Sequence, residues 1–418
     1  MIAIYAATKS DRLIHTLSFF FTEKEEEFEL YTDLDAFKKT EGLKLNYSNE
    51  IIEGVFQIQP SALLFEDGIN QELRLSKKED LFFIGDVYDP LATAFFLISR
   101  YEEYQKHEKD QHGRYRSISS QQFKLGVLGK PVADIMVKKL WEDLGLNYQA
   151  VLDKFECVPS FDIDVAWAYK GRPLWRTLGS VAKGMGDGRL KVLLNRKKDP
   201  YDTYSEIVHI STKLNRIICF SLLSDYGKYD KNISWKNQEY QSLIRGLNSS
   251  GGMGIHPGYN SFLKADVQLK ETKRLEQIVG HEITKNRFHF LRYEIPKSYQ
   301  ILLENGIKKD YSMGYADNVG FRAGTSFPYY HFDLAKNESS NLLVFPFAYM
   351  DSALKDYLKL DISKAQEKVK NLIDEVANVG GLFMCVWHNS SITDSGEWEG
   401  WKSILDFTVD YTNKLKKS

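Results

Sequence analysis

The segment SFDID, residues 160–164, sets two carboxylates two positions apart at the end of an apolar, strand-like run. Side chains at positions i and i+2 of a strand point to the same face, so Asp162 and Asp164 are expected to converge on one spot. Two such carboxylates can divide the work of a hydrolase, because one can bind a metal ion while the other accepts a proton. Two histidines later in the chain are candidates for the same site as these aspartates. They are His256 in GIHPGYNS and His388 in CVWHNS.

The elements that must position these residues follow a regular alternation. Beyond about residue 152, strand-like runs alternate with helix-like runs, which is typical of a parallel sheet or barrel with crossover helices. The predicted strands are 158–164, 217–223, 253–256, 288–292, 308–311, 342–347 and 382–387. The predicted helices are 236–248, 268–285, 296–305, 362–378 and 399–415. We therefore expect a distorted seven-stranded (β/α) barrel, whose working end collects the C-terminal tips of the strands.

The first part of the chain has a different pattern. Residues 1 to about 90 alternate short apolar runs with polar turns, and two helical stretches follow, DPLATAFFLISRYEEYQKH and KPVADIMVKKLWEDLGL. Because a chain of 418 residues is longer than a domain with a single hydrophobic core usually is, we expect two domains. These are a smaller α+β domain over 1–152, to which the sequence assigns no role, and the barrel over 153–418.

Composition narrows the class of protein. Hydrophobic residues make up 43% of the chain and charged residues 27%, and the net charge of -2 argues against nucleic acid as the main partner. The start of the chain predicts no secretory signal, and no later run is long and uncharged enough to span a membrane. Three widely spaced cysteines in apolar runs predict reduced core thiols, and with them a cytoplasmic protein.

One segment departs from the repeat. Residues 170–199 are strongly basic and interleaved with apolar residues, so they predict either a solvated lid or a surface for an anionic membrane or a charged glycan. The second interpretation would place the protein at the inner face of a membrane. The sequence does not predict the oligomeric state.

Taken in order, the predicted strand tips resemble the motifs of the NodB-type polysaccharide deacetylases, which belong to carbohydrate esterase family 4 and occur in bacteria. The resemblance of SFDID to their first motif implies that Asp162 is the catalytic base and Asp164 a metal ligand. HPGYN is similar to their second motif, which implies that His256 and the residue at 260 bind the same ion; position 260 holds Asn rather than His. VWH is similar to the fifth motif and implies that His388 is the general acid.

The third and fourth motifs have looser counterparts. Arg292, in FLRYEIP, or Arg322, in GFRAGTSFPY, matches the third motif, and we favour Arg292 because it ends a predicted strand and precedes a helix. Arg322 would then lie in a loop over the substrate groove. Asp351, in PFAYMDSAL, follows the strand of the fourth motif and is either a substrate-binding residue or a helix cap.

The aromatic side chains on the same face are expected either to stack on sugar rings or to pack in the barrel mouth. Tyr259 and Trp387 are the ones we assign to substrate binding. The sequence YDPLATAFFLISRYEEY followed by DQHGRY, over about 85–150, is similar to an uncharacterised domain that precedes such deacetylases in bacterial glycan-synthesis proteins.

The function that the resemblance implies is removal of an acetyl group from an N-acetylated sugar, with a divalent ion as cofactor. Zinc is the expected ion, with cobalt, nickel and manganese as alternatives. Arg292 is expected to pair with Asp162, and Asn260 is expected to be a weaker ligand than an imidazole. His289 is an alternative ligand, although the alternation of the predicted strand 288–292 sets it opposite Arg292 and favours a structural role.

Two other functions remain open from the sequence. The missing histidine at position 260 is compatible with a non-catalytic glycan-binding protein, and related hydrolases of other C–N bonds share this barrel. In each case the partner is a small molecule or glycan, not a nucleic acid.

Overall fold

The computed structural model of the protein describes residues 1–79, 81–171, 187–194 and 196–417. Its first part is built on four parallel strands in the order β2-β1-β3-β4, followed by an antiparallel hairpin of β5 and β6. The strands are β1 Ile2–Tyr5, β2 Phe28–Tyr31, β3 Leu43–Tyr47, β4 Phe56–Ile58, β5 Leu75–Lys78 and β6 Leu81–Ile84. The helices are α1 Asp11–Phe20, α2 Leu34–Lys39, α3 Pro90–Ile98, α4 Tyr101–Tyr104, α5 Gln121–Lys124, α6 Val132–Asp143 and α7 Gln149–Leu152.

Local chemistry explains where these helices begin. The Ser10 side chain accepts a hydrogen bond from the Leu13 N–H at the start of α1, and Asp89 does the same for Ala92 at the start of α3. Pro90 follows Asp89 at the first position of α3, where no N–H is needed. Every residue of α3 is buried, so this helix lies at the centre of the first part.

The second part is a nine-stranded sheet curled into a half-barrel. Its order is β12-β13-β11-β10-β9-β8-β7-β15-β14, and every pairing is parallel except that of β12 with β13. The strands are β7 Glu156–Ile163, β8 Ile218–Leu222, β9 Met253–His256, β10 Lys285–Asn286, β11 Lys309–Met313, β12 Tyr329–Asp333, β13 Glu338–Pro346, β14 Tyr349–Met350 and β15 Leu382–His388. The helices are α8 Asp187–Leu193, α9 Tyr204–Leu214, α10 Gln238–Gly251, α11 Ala265–Val279, α12 Lys297–Glu304, α13 Ile362–Ala377 and α14 Lys402–Lys417.

The nine-stranded sheet therefore differs from the distorted seven-stranded barrel that the sequence predicts. β12 adds an antiparallel neighbour to β13, and the chain changes partners near Pro346, which has no N–H to donate. The Phe347 N–H donates to the Met313 carbonyl (3.0 Å), and the Ala348 N–H donates to the Met384 carbonyl (2.8 Å). One short stretch thus passes from the β11 side of the sheet to the β15 side.

The predicted strand 288–292 is wrong. Its place in the sheet is taken by β10, which has only two residues, and a short 3-10 helix follows at His289–Leu291. Phe290 has a left-handed backbone with φ of 61°, which is incompatible with a continued strand. Side chains at 289–292 therefore do not alternate between two faces as strand geometry would require.

The predicted domain boundary at residue 152 falls at the end of α7. Buried residues on both sides of it pack in one continuous hydrophobic cluster, so the boundary stays a prediction. Most of the basic segment 170–199, with its predicted contact to a membrane or charged glycan, lies outside the described residues. Among the helices that the structure describes, none has the length and apolar character needed to cross a membrane.

A buried charge cluster joins the two parts of the chain. Glu103 accepts hydrogen bonds from Nε and Nη2 of Arg322 (2.9 and 2.7 Å) and from Nε of Arg100 (2.8 Å). Arg100 also donates to the carbonyl of Arg322. Burial raises the pKa of Glu103, but the charges of Arg322 and Arg100 outweigh it and hold the pKa at about 2. Arg322 therefore lies between the two parts, and the prediction that it covers a substrate groove is wrong.

The Glu103→Gln variant should unfold more easily by about 3–5 kcal/mol at pH 7, since it leaves the buried guanidinium of Arg322 without its carboxylate and leaves Arg100 with Glu102 as its partner. In the wild type this stabilisation is present above the ordinary pKa of 4.5 and is lost as the pH falls from 4.5 towards 2, a dependence that the variant should lack. Urea denaturation at several pH values measures both effects. Glu72→Gln, whose partner Arg74 is exposed, is the control and should change little. Equal stability of Glu103→Gln and wild type would contradict the argument.

Candidate active site

The carboxyl ends of adjacent strands deliver the candidate residues to one edge of the sheet. Asp162 is the penultimate residue of β7 and Asp164 follows that strand directly, while His256 ends β9 and His388 ends β15. His388 pairs in register with Asp162. The sheet thus brings together four of the residues that the sequence predicts.

Three side chains form a cluster that fits a metal ion. One ligand atom each from Asp164, His256 and His289 lies within 4.8 Å of the others. The Asp164 carboxylate is 3.3 Å from His256 Nε2 through Oδ1 and 3.4 Å from His289 Nε2 through Oδ2. Oδ1 of Asp164 is buried and has no hydrogen-bond partner, which is the expected condition of an oxygen prepared for a cation. One carboxylate and two imidazoles are a donor set suited to zinc.

Both imidazoles are oriented from behind. His256 Nδ1 lies 2.6 Å from the Arg287 carbonyl, and His289 Nδ1 lies 2.9 Å from Oδ1 of Asp230. Such contacts fix the proton on Nδ1 and leave Nε2 free to bind a metal. Asp230 is completely buried. The structure thus supports both histidines in the manner typical of metal ligands.

Asp162 lies beside this cluster and is held by Arg287. Nη1 of Arg287 donates to Oδ1 of Asp162 (2.8 Å), and Nη2 donates to the Ser160 hydroxyl (2.8 Å). Oδ2 of Asp162 is 3.8 Å from His256 Nε2. The charge-assisted bond sets the direction of the carboxylate and leaves its second oxygen toward the cluster.

His388 lies on β15, the strand next to that of Asp162, and is held by Asp351. Its Nδ1 lies 2.9 Å from Oδ1 of Asp351, and its backbone N–H donates to Oδ2 (2.8 Å). Nε2 of His388 is 3.7 Å from Oδ2 of Asp164. Burial lowers the pKa of His388, but Asp351 and the two aspartates of the site raise it to about 10. The pKa of Asp164 is well below its ordinary value because the nearby imidazoles outweigh the effect of burial.

Several predicted site residues have other positions. Arg292 does not pair with Asp162; its guanidinium donates to the carbonyls of His112 (3.0 Å) and Tyr259 (2.8 Å). The reason is the early end of β10, which gives the inward position to Arg287. Asn260 has an exposed side chain in the 3-10 turn that follows Pro257 and Gly258, whereas the imidazoles of the cluster are buried, so its position does not favour it as a ligand.

The remaining substrate-binding predictions also change. Trp387 is fully buried and its indole N–H donates to the Tyr349 hydroxyl (3.1 Å), so it is a core residue. Asp351 is buried behind His388 and positions it, so it does not face a substrate. Tyr259 is half-buried and its hydroxyl lies 3.1 Å from His112 Nδ1, in an aromatic group beside the site.

A cavity of about 420 Å³ opens over the cluster. It is lined by Asp162, Asp164, His256, His289 and His388 together with apolar and polar neighbours. A larger cleft of about 990 Å³ lies elsewhere, beside residues 224–236, and none of the five residues named here lines it. The smaller cavity is therefore the candidate active site, because it joins space for a substrate to the reactive groups.

Sequence reasoning missed Arg287 and Asp230 and undervalued His289. The signal for two of them was present in NRFHF, in which Arg287 and His289 are two positions apart, as Asp162 and Asp164 are. Asp230 stands in a loop with no regular pattern, and nothing in the sequence marks it.

Comparisons with known proteins give partial matches. Residues 2–149 match the profile of a family of unknown function, DUF7033, and no curated protein matches the chain. A structure described as a polysaccharide deacetylase from Mycobacterium smegmatis is 16% identical, with a TM-score of 0.39, covering 61% of this chain and 84% of its own. One from Pseudomonas aeruginosa PAO1, also described as a polysaccharide deacetylase, is 12% identical, with a TM-score of 0.38 and coverages of 62% and 83%.

A 4-alpha-glucanotransferase from Thermococcus litoralis is 11% identical, with a TM-score of 0.37, covering 63% of this chain and 38% of that one. Similarity at this level assigns neither the fold nor the activity of the chain.

Zinc titration of single variants distinguishes the two candidate third ligands. His289→Ala should weaken zinc binding by more than about 100-fold, since the loss of a residue that only orients a ligand already lowers metal affinity by about 10–100-fold. Asn260→Ala should bind zinc as the wild type does. Isothermal titration calorimetry, with circular dichroism to verify folding, makes the comparison. A loss of affinity in Asn260→Ala equal to that in His289→Ala would restore Asn260 as the ligand.

Proposed function

We propose that the chain is a metal-dependent hydrolase that removes an acetyl group from an N-acetylated sugar. The observation that carries the proposal is the arrangement of two supported proton-transfer groups beside the cluster of Asp164, His256 and His289. Asp162 Oδ2 is 3.8 Å from His256 Nε2, and His388 Nε2 is 3.7 Å from Asp164 Oδ2. The resemblance of the strand-tip motifs to polysaccharide deacetylases gives the substrate class.

Hydrolysis of an amide needs a polarised carbonyl, an activated water and a proton for the departing amine. A divalent ion held by Asp164, His256 and His289 would supply the first two by acting as a Lewis acid and by lowering the pKa of water. Zinc suits this ligand set best.

Asp162 is placed to take the proton from the attacking water. Arg287 occupies one of its oxygens at 2.8 Å, so the other oxygen, which faces the cluster, is the one that accepts. General base catalysis by a side chain fixed in this way typically contributes 10²–10⁴-fold in rate.

His388 is placed to protonate the leaving nitrogen. Asp351 binds its Nδ1 and backbone N–H, which directs Nε2 into the cavity. The same carboxylate stabilises the positive charge of the imidazolium before transfer. Base and acid then act from two sides of one scissile bond.

Acetate release tests the proposal. Purified protein should release acetate from N-acetylhexosamine oligomers or lipid-linked N-acetyl sugars in the presence of zinc, cobalt, nickel or manganese, and a chelator should stop it. Asp162→Asn should bind zinc normally but release acetate about 10²–10⁴-fold more slowly. Asp266→Asn, on an exposed helix end, is the matched control and should retain full activity.

The absence of acetate release with every ion, in protein that binds metal, would contradict the proposal. Saccharide binding that survives both chelation and Asp162→Asn would instead support a non-catalytic glycan-binding protein. Cleavage of other amides or imides from a substrate panel would support a hydrolase of a different C–N bond.

A further inference from the structure

A loop from the first part of the chain forms one wall of the candidate active site. This wall loop, residues 107–116, lies within the part that matches the family of unknown function. Its Arg114 lines the same cavity as Asp164 and His388. Its side chain is only 7% exposed, so it is built into the site and is not a surface residue that happens to be near.

Arg114 spans the cavity wall through three hydrogen bonds. Nε donates to Oδ2 of Asp110 (2.7 Å), Nη1 donates to the Phe290 carbonyl (3.0 Å), and Nη2 donates to the Tyr357 hydroxyl (2.9 Å). Asp110 is part of the same loop, so it holds the guanidinium from behind. The other two partners, Phe290 and Tyr357, line the same cavity.

The Phe290 contact lies at a strained point of the backbone. Phe290 and Leu291 have φ of 61° and 51°, left-handed values that are unfavourable for non-glycine residues. Such a conformation persists only where the surroundings hold it. His289, a candidate metal ligand, immediately precedes this pair.

Other contacts hold the same two segments together. Arg292 donates to the His112 carbonyl (3.0 Å), and the His112 ring packs edge-on to Phe290 at 5.3 Å between centroids. Lys109 forms an ion pair with Glu294 (2.5 Å). Phe290, Arg292 and Glu294 therefore each contact the wall loop.

We propose that the wall loop is a positioning element of the candidate metal centre, in which Arg114 holds the Phe290 carbonyl and thereby places His289. The inference rests on the proposed metal-dependent function. It gives the first part of the chain a role that neither its family match nor the deacetylase motifs supply. The wall loop holds the strained backbone next to His289 and thereby keeps this ligand in place.

Zinc affinity of the full chain tests the proposal, because it does not depend on activity. Arg114→Ala should weaken zinc binding by about 10–100-fold, the usual effect of losing a residue that orients a ligand. Arg114→Lys keeps a charged donor on a side chain of nearly the same length and should recover part of the affinity. Arg116→Ala is the matched control, since Arg116 is in the same loop but pairs only with exposed Glu108, and it should bind zinc normally.

A second measurement separates positioning from general destabilisation. The absorption spectrum of bound cobalt should change in Arg114→Ala and remain unchanged in Arg116→Ala, because only the first alters ligand geometry. If Arg114→Ala does not fold, Arg114→Lys, which cannot keep all three hydrogen bonds, is titrated in its place and should still show weaker binding than Arg116→Ala.

The outcomes distinguish this inference from the proposed function. Wild-type zinc affinity and an unaltered cobalt spectrum in Arg114→Ala would overturn the positioning role, even if acetate is released. Weaker zinc binding in Arg114→Ala, in a protein that releases no acetate, would support positioning and count against deacetylation. No zinc binding by the wild type would overturn both.

Discussion

The ion pair between Asp162 and Arg287 is the interaction on which the rest of the site depends. Both side chains are almost entirely buried, and a buried charge without a partner is strongly unfavourable. Arg287 satisfies its other donors on Ser160 of β7 and on the Tyr311 carbonyl of β11, and it stacks over Phe220 of β8 at 4.4 Å. A single guanidinium thus connects three strands while it holds the candidate base.

The position of Asp164 at the same edge of the sheet explains how the imidazoles are arranged. Asp164 lies two positions beyond Asp162, so parallel strands on either side can bring one imidazole each to it from β9 and β15. Each imidazole is then directed from behind by a carbonyl or a carboxylate. The pattern is a layer of reactive groups backed by a layer of buried polar groups that orient them.

Much of this could be predicted from the sequence where periodicity governs the structure. The predicted strands 158–164, 253–256 and 382–387 match β7, β9 and β15 closely, because near-continuous apolar runs are typical of buried parallel strands. Their C-terminal tips carried Asp162, Asp164, His256 and His388, and the structure brings these four together. The prediction was therefore reliable for residues whose position follows from a strand end.

It failed where one or two residues of irregular backbone decide the outcome. The run RFHFLRY looks like a strand, but the chain leaves the sheet after Asn286 and turns left-handed at Phe290, which exchanges the roles of Arg287 and Arg292. Asn260 was assigned by motif spacing that assumes a full helical turn after His256. Contacts between distant segments, such as Arg114 with Phe290, have no local signal at all.

The passage of the chain from β11 to β15 across residues 346–349 also bears on the order of folding. Asp351 comes directly after this crossing, so the carboxylate that holds His388 is in place only once that stretch has joined both flanks. The partners of β15 on β7 are more than two hundred positions earlier in the chain, and pairings so distant in sequence form slowly. We therefore expect the contact between Asp351 and His388 to form late in folding, after Asp162 has been buried.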